Sequence, residues 1–456
     1  MMESTNTRIE GPNADKMASK RYRTFVLVLL TIIYAFNFID RQIIGIISPF
    51  IKADLGLTNT QLGYLKGFYF ALLYSVIGIP IAWLADRYSR VNILSASLAV
   101  WSGFTALTGM ASSFFMIGFA RMGVGVGEAG GSPTSHSIIS DLYPKEERAS
   151  ALAVYSIGIP LGLGFAYFLT GWLLGGAPED AISWRTLLII LGVTGVLLAI
   201  FTRIVIREPK RGAQEKLDEA ARFNASKVPF KTAIKTLLSI KSWWAMCMGI
   251  ALASFVSYAV SAWQIDYLLP FDATQPEPYG FRKMMYVLAF LNCVIYGSGT
   301  FFGGWITQKL SKKSVRFYGF IPAISILMCL PLLIITFWAT STFVHLLSGG
   351  ALLFFLGIYL GPSFAIAQTL APINMRAMST ALFFLVLNMI ALGGGPTVTG
   401  YLIDYFEPAH GNIHAIRLSL TWVSAMFVLS AISFLIVAKT LPKDWAEAQA
   451  RNEGGA

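Results

Sequence analysis

Apolar stretches of eighteen or more residues recur along the whole chain. A helix needs about 20 such residues to cross the hydrocarbon of a bilayer. Inside lipid every backbone polar group must be satisfied internally, so a chain with many such stretches folds as a bundle of spanning helices. Composition agrees: 13% of the 456 residues are charged and 55% are hydrophobic, against about 25% charged in a soluble domain. The predicted fold is an all-α membrane protein with twelve transmembrane helices. They fall at 23–51, 60–84, 91–111, 114–140, 149–175, 184–206, 242–269, 281–307, 317–339, 342–372, 378–403 and 418–440. The longest polar interruption, 207–241, divides two six-helix bundles, 23–206 and 242–440. Residues 1–22 and 441–456 are tails.

Basic residues set the expected orientation. Of 35 Lys and Arg, only Lys52, Arg185, Arg282, Lys283 and Arg417 fall in the loops of one side; Arg41, Lys66 and Arg121 lie within spans. The remaining 27 sit on the side of both termini, which is expected to be cytoplasmic. This bias accounts for the net charge of +11 without nucleic acid as a partner. The polar first twenty residues and the length of the first apolar run argue against a cleavable signal peptide. Cys247, Cys293 and Cys329 are scattered through spans and read as small core residues. His410 and His414 share the segment "EPAHGNIH", where Pro408 and Gly411 argue for a solvated loop and against a metal site. His136, within the fourth span, reads as a packing residue. No metal or other cofactor is expected: no Gly-x-Ser-x-Gly and no Gly-x-x-x-x-Gly-Lys loop occurs, so an enzyme or an ATP-driven pump is disfavoured.

The two halves repeat. "AWLADRYSR" at 82–90 aligns with "GWITQKLSK" at 304–312, and "PKEERA" at Pro144 with "PINMRA" at Pro372, at offsets of 222 and 228. Parallel six-helix repeats are a transporter architecture and argue for rocking halves, not a fixed channel. "AWLADRYSRVNIL" resembles the signature loop of the major facilitator superfamily, which implies the major facilitator fold. Asp86, Arg87 and Arg90, with Arg148 as a candidate partner, then form an expected latch on the cytoplasmic side. "NFIDR" at 37–41, "ARMGVGVGEAG" at 120–130 and "SDLYPKEERASALAVYSIGIPLGLGFAYFLTG" at 140–171 are similar to the Spinster-like lipid transporters. Hexuronate-type anion symporters share the Arg…Gly-Glu helix less closely, and a drug exporter of the same superfamily is the other alternative. The resemblance implies a monomer in a bacterial inner membrane. Its expected partners are an amphipathic, lysolipid-like or sphingoid-phosphate-like anion, protons and the bilayer.

The charges in the first half carry the chemistry. A charge at the bilayer centre costs at least about 2.5–3.5 kcal/mol and is functional by default. At about 1.5 Å per residue, Arg121 is roughly 11 Å, Asp40 roughly 17 Å and Glu128 roughly 21 Å from the outer face. Arg121, Gly125 and Glu128 share one helix face, and Asn37, Asp40 and Arg41 share another. Asp40 and Glu128 are the expected proton carriers. Arg121, with Arg41 and Asn37, is expected to bind the substrate or to pair charges. The middles of spans seven to twelve hold no Asp, Glu, Lys or Arg, and Asp266 and Asp404 lie near outer ends. Tyr258, Trp263, Gln264, Asn292, Tyr296, Gln368 and Asn388 are the expected lining on that side. "GIPLGLG" at 158–164, "LGPSF" at 360–364 and "LGGGPTVTG" at 392–400 mark places where the helices can bend.

Single cysteines at Asn59, Thr274 and Asn412 should react with an impermeant thiol reagent from outside, and those at Lys145, Gln214 and Lys312 from inside. External labelling at 214 would overturn the twelve-span topology.

Overall fold

The computed structural model describes residues 19–85, 87–175, 181–209, 230–372 and 376–453, and these contain helices and no strand. Among the described residues eleven helical runs are long and apolar enough to cross a bilayer: Lys20–Leu55, Asn59–Ala85, Arg90–Gly109, Ser150–Leu174, Trp184–Val205, Lys241–Ala273, Phe281–Ser311, Phe317–Phe337, Thr342–Ile366, Leu382–His410 and Asn412–Arg451. The fourth crossing is built from two abutting helices, Phe114–Glu128 and Gly131–Leu142, so no single uninterrupted helix spans it. Numbered in chain order, these are spans 1 to 12.

Local chemistry explains where the spans begin and end. Thr58 opens span 2 with a reciprocal capping box: its hydroxyl accepts from the Gln61 N–H, and the Gln61 side chain accepts from the Thr58 N–H. Ser89, Ser113, Ser183 and Ser341 cap spans 3, 4, 6 and 10 in the simpler way. Gly56 ends span 1 at φ 62°, a left-handed conformation that glycine adopts without steric cost.

Three segments depart from the expected boundaries. The "EPAHGNIH" stretch is not a loop: the helix of span 11 runs through Pro408 to His410, and Gly411 at φ 74° separates it from a helix starting at Asn412. The residues after 440 do not form a separate tail. The last helix runs from Ala425 to Glu453, buries Leu441 and Ala448, stacks Trp445 on Tyr318 and accepts the Ser242 N–H on Asp444 at 2.8 Å. The linker contains a helix, Phe230–Ser239. Helices break at Ile157 and Tyr359, and span 11 holds a π segment at Asn388–Gly394. Spans 2 and 8 carry π segments at Tyr64–Phe68 and Leu291–Tyr296.

The packing has internal symmetry. Span 1 packs on 5, 2 on 4, and 3 on 4 and 6; span 7 packs on 11, 8 on 10, and 9 on 10 and 12. The second list is the first moved on by six spans. The halves touch through spans 2 and 11, 5 and 8, and 1 and 7. Glycine permits the closest of these approaches. A Cβ on Gly63 would lie 2.8 Å from the Pro396 carbonyl oxygen, and one on Gly67 2.6 Å from that of Leu392. Across spans 5 and 8, a Cβ on Gly171 would lie 2.6 Å from the Cβ of Met285.

The ends of the bundle differ. One end carries the lysines and arginines that cluster around Arg23, Arg90 and Lys312, and is called the basic end here. Each hydrogen bond between the halves whose partners are both described lies in the middle or toward the opposite end. Gln42 donates to Ser261 at 2.8 Å, Ser48 to Asp266 at 2.8 Å, and the Asn59 and Thr60 backbones to Asp404 at 3.0 and 2.7 Å. The Asn59 amide also donates to Glu407 at 2.7 Å.

Replacing Gly67 by Val should hold the halves apart at this end, because the Cβ would meet backbone that cannot give way. In a cysteine-free background, Ser48→Cys is buried; adding Gly67→Val should raise its labelling rate from the opposite end at least several-fold. An unchanged rate would mean the contact yields in another way.

Candidate functional site

Four charged groups converge in the first half. Asp40, Arg41, Arg121 and Glu128 come from spans 1 and 4, and the residues for Asp40, Arg121 and Glu128 are 1%, 2% and 1% exposed. The shared face expected for Asn37, Asp40 and Arg41 splits toward different neighbours. Asp40 turns to span 3, where Thr105 donates to its Oδ1 at 2.9 Å. Arg41 turns to span 4, where its Nε donates to Glu128 Oε2 at 2.6 Å. Arg41 therefore neutralises Glu128 and not its neighbour in sequence.

Aromatic rings complete the cation sites. The Arg41 guanidinium lies 4.7 Å from the Tyr74 ring centre and 5.2 Å from those of Phe38 and Phe70. The Arg121 guanidinium is also 5.2 Å from Phe70, so this one ring serves both cations. Arg121 donates from Nε to the Leu65 carbonyl at 3.3 Å and forms no ion pair within 4 Å among the described residues. Glu128 Oε1, Asp40 Oδ2 and Asn37 Oδ1 are buried without a hydrogen-bond partner among the described residues. Among the described residues the centre thus holds two carboxyl oxygens that make no hydrogen bond of normal geometry, beside a guanidinium that makes no ion pair within 4 Å.

The second-half residues divide. Tyr258 is part-buried and packs against both hydrophobic clusters of the bundle. Tyr296 is part-buried, and Gln264, Asn292 and Asn388 are 7%, 8% and 5% exposed. Asn292 lies in the π segment of span 8, where its amide donates to the Leu288 carbonyl at 2.9 Å, and Asn388 opens the π segment of span 11. The side chain of Gln368 lies outside the described residues. Trp263 is fully buried, its indole N–H donating to the Pro396 carbonyl at 3.0 Å.

At the basic end Arg90 is buried and knots three helix ends. It pairs with Asp141 at the end of span 4, with Glu208 at 2.7 Å beyond span 6, and donates to the Pro209 carbonyl at 2.7 Å. Burial alone would raise the carboxyl pKa of Glu208. The Val91 N–H, Arg90 and the Ser89 hydroxyl outweigh it and hold Glu208 below its ordinary value. These Arg90 contacts lie within the first half and the segment that directly follows it. Arg87 stacks on Trp83 at 3.6 Å, and Arg148 donates to the Ser140 carbonyl at 2.8 Å. Asp86 lies outside the described residues. Among the described residues no group of three His, Cys, Asp or Glu is arranged to hold a metal.

Sequence reasoning passed over one site. Lys66, in the π segment of span 2, pairs with Asp266 of span 7 at 2.6 Å, and its ammonium lies 3.7 Å over the ring of Trp263. A lone lysine inside an apolar span was the available signal. Its partner is 200 residues away in sequence, and only the packing of span 2 against spans 7 and 11 brings them together.

Twelve spans in two symmetric sixes, with buried charges gathered inside the first, define a membrane transporter. The sequence profile of the Major Facilitator Superfamily matches residues 30–396, and the chain belongs to that superfamily. It is Spinster-like in sequence and fold. The crystal structure of a bacterial homologue of the human lysosomal transporter Spinster, in an inward-facing and unoccupied conformation, superposes with a TM-score of 0.84 at 27% identity, over 93% of this chain and 99% of that one. An MFS-type efflux pump of Mycolicibacterium smegmatis is 29% identical over 98% of this chain and 99% of its own length. A D-galactonate transporter of Escherichia coli is 25% identical over 93% and 97%.

Arg41→Ala should leave Glu128 buried and unpaired, which costs about 3–5 kcal/mol. Adding Glu128→Gln should recover most of that loss. Thermal unfolding in detergent of the two single variants and the double variant gives the coupling. Additive losses would show that the 2.6 Å contact does not hold the two spans together.

Proposed function

We propose that this protein moves an amphipathic anion, of the lysolipid or sphingoid-phosphate class, by proton-coupled alternating access. The observation that carries the reading is the pair of buried carboxyls, Asp40 and Glu128, each with one unpartnered oxygen, beside an Arg121 with no ion pair among the described residues. Each unpartnered oxygen accommodates a proton, since a protonated carboxyl is also a donor. An anion on Arg121 competes with the carboxylates for positive charge and so favours proton uptake by one of them. Arg41 and Asn37 hold this constellation together from span 1.

The second half supports the amphipathic part. Tyr258, Tyr296, Gln264, Asn292 and Asn388, and in sequence Gln368, offer amide, hydroxyl and ring surface without charge, suited to a chain more than to a second charged group. Among the described residues the hydrogen bonds between the halves lie away from the basic end, which supports a state open to the cytoplasm, with Asp86, Arg87, Arg90 and Arg148 forming the latch of the opposite state. Both termini are cytoplasmic in this reading, the protein works as a monomer in a bacterial inner membrane, and no cofactor takes part. A proton-coupled sugar-acid symporter is the second reading, favoured by the likeness to the D-galactonate transporter over 93% of the chain.

Purified protein should be stabilised by lysophosphatidate or sphingoid phosphate and not by hexuronates, and Arg121→Gln should remove that stabilisation while the protein remains folded. In proteoliposomes Asp40→Asn and Glu128→Gln should each lose pH-gradient-driven accumulation and keep downhill exchange. Stabilisation by the sugar acid alone would select the second reading. Unchanged proton dependence in both variants would assign the carboxyls a structural role.

A further inference from the structure

The ion pairs of the first half have one exception to a simple rule. Arg41 with Glu128, Arg90 with Asp141, Arg23 with Glu147 and Arg185 with Asp54 join groups in the same half, and Arg90 also pairs with Glu208 in the segment that directly follows it. Lys66 with Asp266 is the one ion pair among the described residues that crosses between halves. Both side chains are buried, at 1% and 7% exposed. Asp266 Oδ2 also accepts from the Ser48 hydroxyl of span 1 at 2.8 Å, so the carboxylate of the second half is inserted between two elements of the first.

The division of charge has a consequence for movement. At mid-depth and just beyond, the first half holds three cations, Arg41, Lys66 and Arg121, and two carboxyls, Asp40 and Glu128. Asp266 brings the balance to three against three. When the halves part at the end away from the basic face, Asp266 and Trp263 leave together on span 7, and Lys66 loses its counter-ion and its aromatic cover in one motion. The remaining wall carries a net positive charge. Arg121 extends it, because its Nε rests on the carbonyl of Leu65, the residue next to Lys66.

The geometry points to Lys66 as the anion-capture site of the outward-open state, with Asp266 as a tethered counter-ion that the substrate's carboxylate or phosphate replaces. A substrate anion docks on Lys66 when Asp266 withdraws. When the halves close again, Asp266 returns to Lys66 and displaces the anion inward toward Arg121. A latch alone needs only some attractive pair at this place. Capture needs the positive member on the first half, next to Arg121, and the negative member on the half that moves away. The inference rests on the substrate being anionic, as proposed above.

The two roles predict opposite signs. As a latch, Lys66→Gln and Asp266→Asn break the same contact and behave alike. As a capture site and its competitor they diverge. The test offers oleoyl lysophosphatidate and D-galactonate, separately, to either face of proteoliposomes of uniform orientation, and reads KM and kcat for each face. Lys66→Gln should raise KM at the face opposite the termini at least 10-fold and change KM at the other face by less than 2-fold. Lys66→Arg should retain most of the affinity. Asp266→Asn should lower KM at the same outer face and slow kcat, since nothing then displaces the anion. The exchanged pair Lys66→Asp with Asp266→Lys keeps an ion pair and should still lose outer-face affinity. Thermal unfolding midpoints report whether each variant is folded. Equal effects of Lys66→Gln and Asp266→Asn, or recovery of outer-face KM in the exchanged pair, would overturn the inference while leaving an anionic substrate standing. Failure of the wild type to carry either anion would overturn both.

Discussion

Charge buried in apolar surroundings must be matched nearby, and where the matching group is attached decides which motions are easy. An isolated charge pays heavily for lost hydration, and a pair regains that cost only when geometry and further hydrogen bonds are good. In this protein Arg41 and Glu128 meet at 2.6 Å within one half, so their contact can persist as the halves rock. Arg90 similarly draws the start of span 3, the end of span 4 and the segment after span 6 into one unit. These internal pairs let the first half move as a body. Among the described residues, the one pair that spans both halves must break when the end away from the basic face opens, and it lies among the contacts that hold that end shut.

Backbone approach and helix irregularity cooperate with that charge pattern. Gly63 and Gly67 bring span 2 against Leu392 and Pro396 of span 11 without intervening side chains. Both helices leave α geometry at this crossing, with π segments at Tyr64–Phe68 and Asn388–Gly394. A π segment adds a residue to a turn and changes the phase of every side chain beyond it. Lys66 lies within one such segment and Asn388 opens another. The local unwinding therefore puts polar groups at positions that a regular helix of the same sequence would present elsewhere. Spans 5 and 8 use glycine in a similar way at Gly171 and Met285, which gives the two-fold arrangement a second close seam.

Much of this was legible in the chain. The length of the apolar runs, the Lys and Arg bias and the offset repeats around Ala82 and Gly304 expose the two-by-six architecture, because bilayer thickness and hydrogen-bond satisfaction leave few alternatives. The Arg121–Gly125–Glu128 spacing and the Asp40–Arg41 pair identify the charged centre, because charges at such depth are costly enough to stand out. Pairing was not legible. Helix periodicity places Asp40 and Arg41 on one broad face, yet a difference of about 100° per residue is enough to send one to Thr105 and the other to Glu128. Trp263 reads as lining because an aromatic residue in a polar neighbourhood suits a cavity wall. Its burial is decided by Lys66 and the Pro396 carbonyl, which arrive from two distant spans. The helical course up to His410 was hidden because Pro408 reads as a helix breaker, yet it is accommodated inside the helix of span 11.

The unequal distribution of charge between the halves has a mechanical meaning. Had both halves carried several buried ions, each rocking step would separate several pairs, and the barrier would rise with their number. Here the described ion pairs of the first half are internal except for Lys66 with Asp266, so opening at that end separates one buried pair together with the Asn59, Thr60 and Asp404 hydrogen bonds. Those bonds have neutral donors, which water can satisfy on opening. The ion pair is different in kind, because its cation remains in a wall that already holds Arg121 and Phe70. A ligand that supplies negative charge at that moment substitutes for the departing carboxylate, whereas a neutral ligand does not. Charge selectivity and conformational change thus meet at the same few atoms, and the scarcity of charge at the middle of the second half keeps their number small.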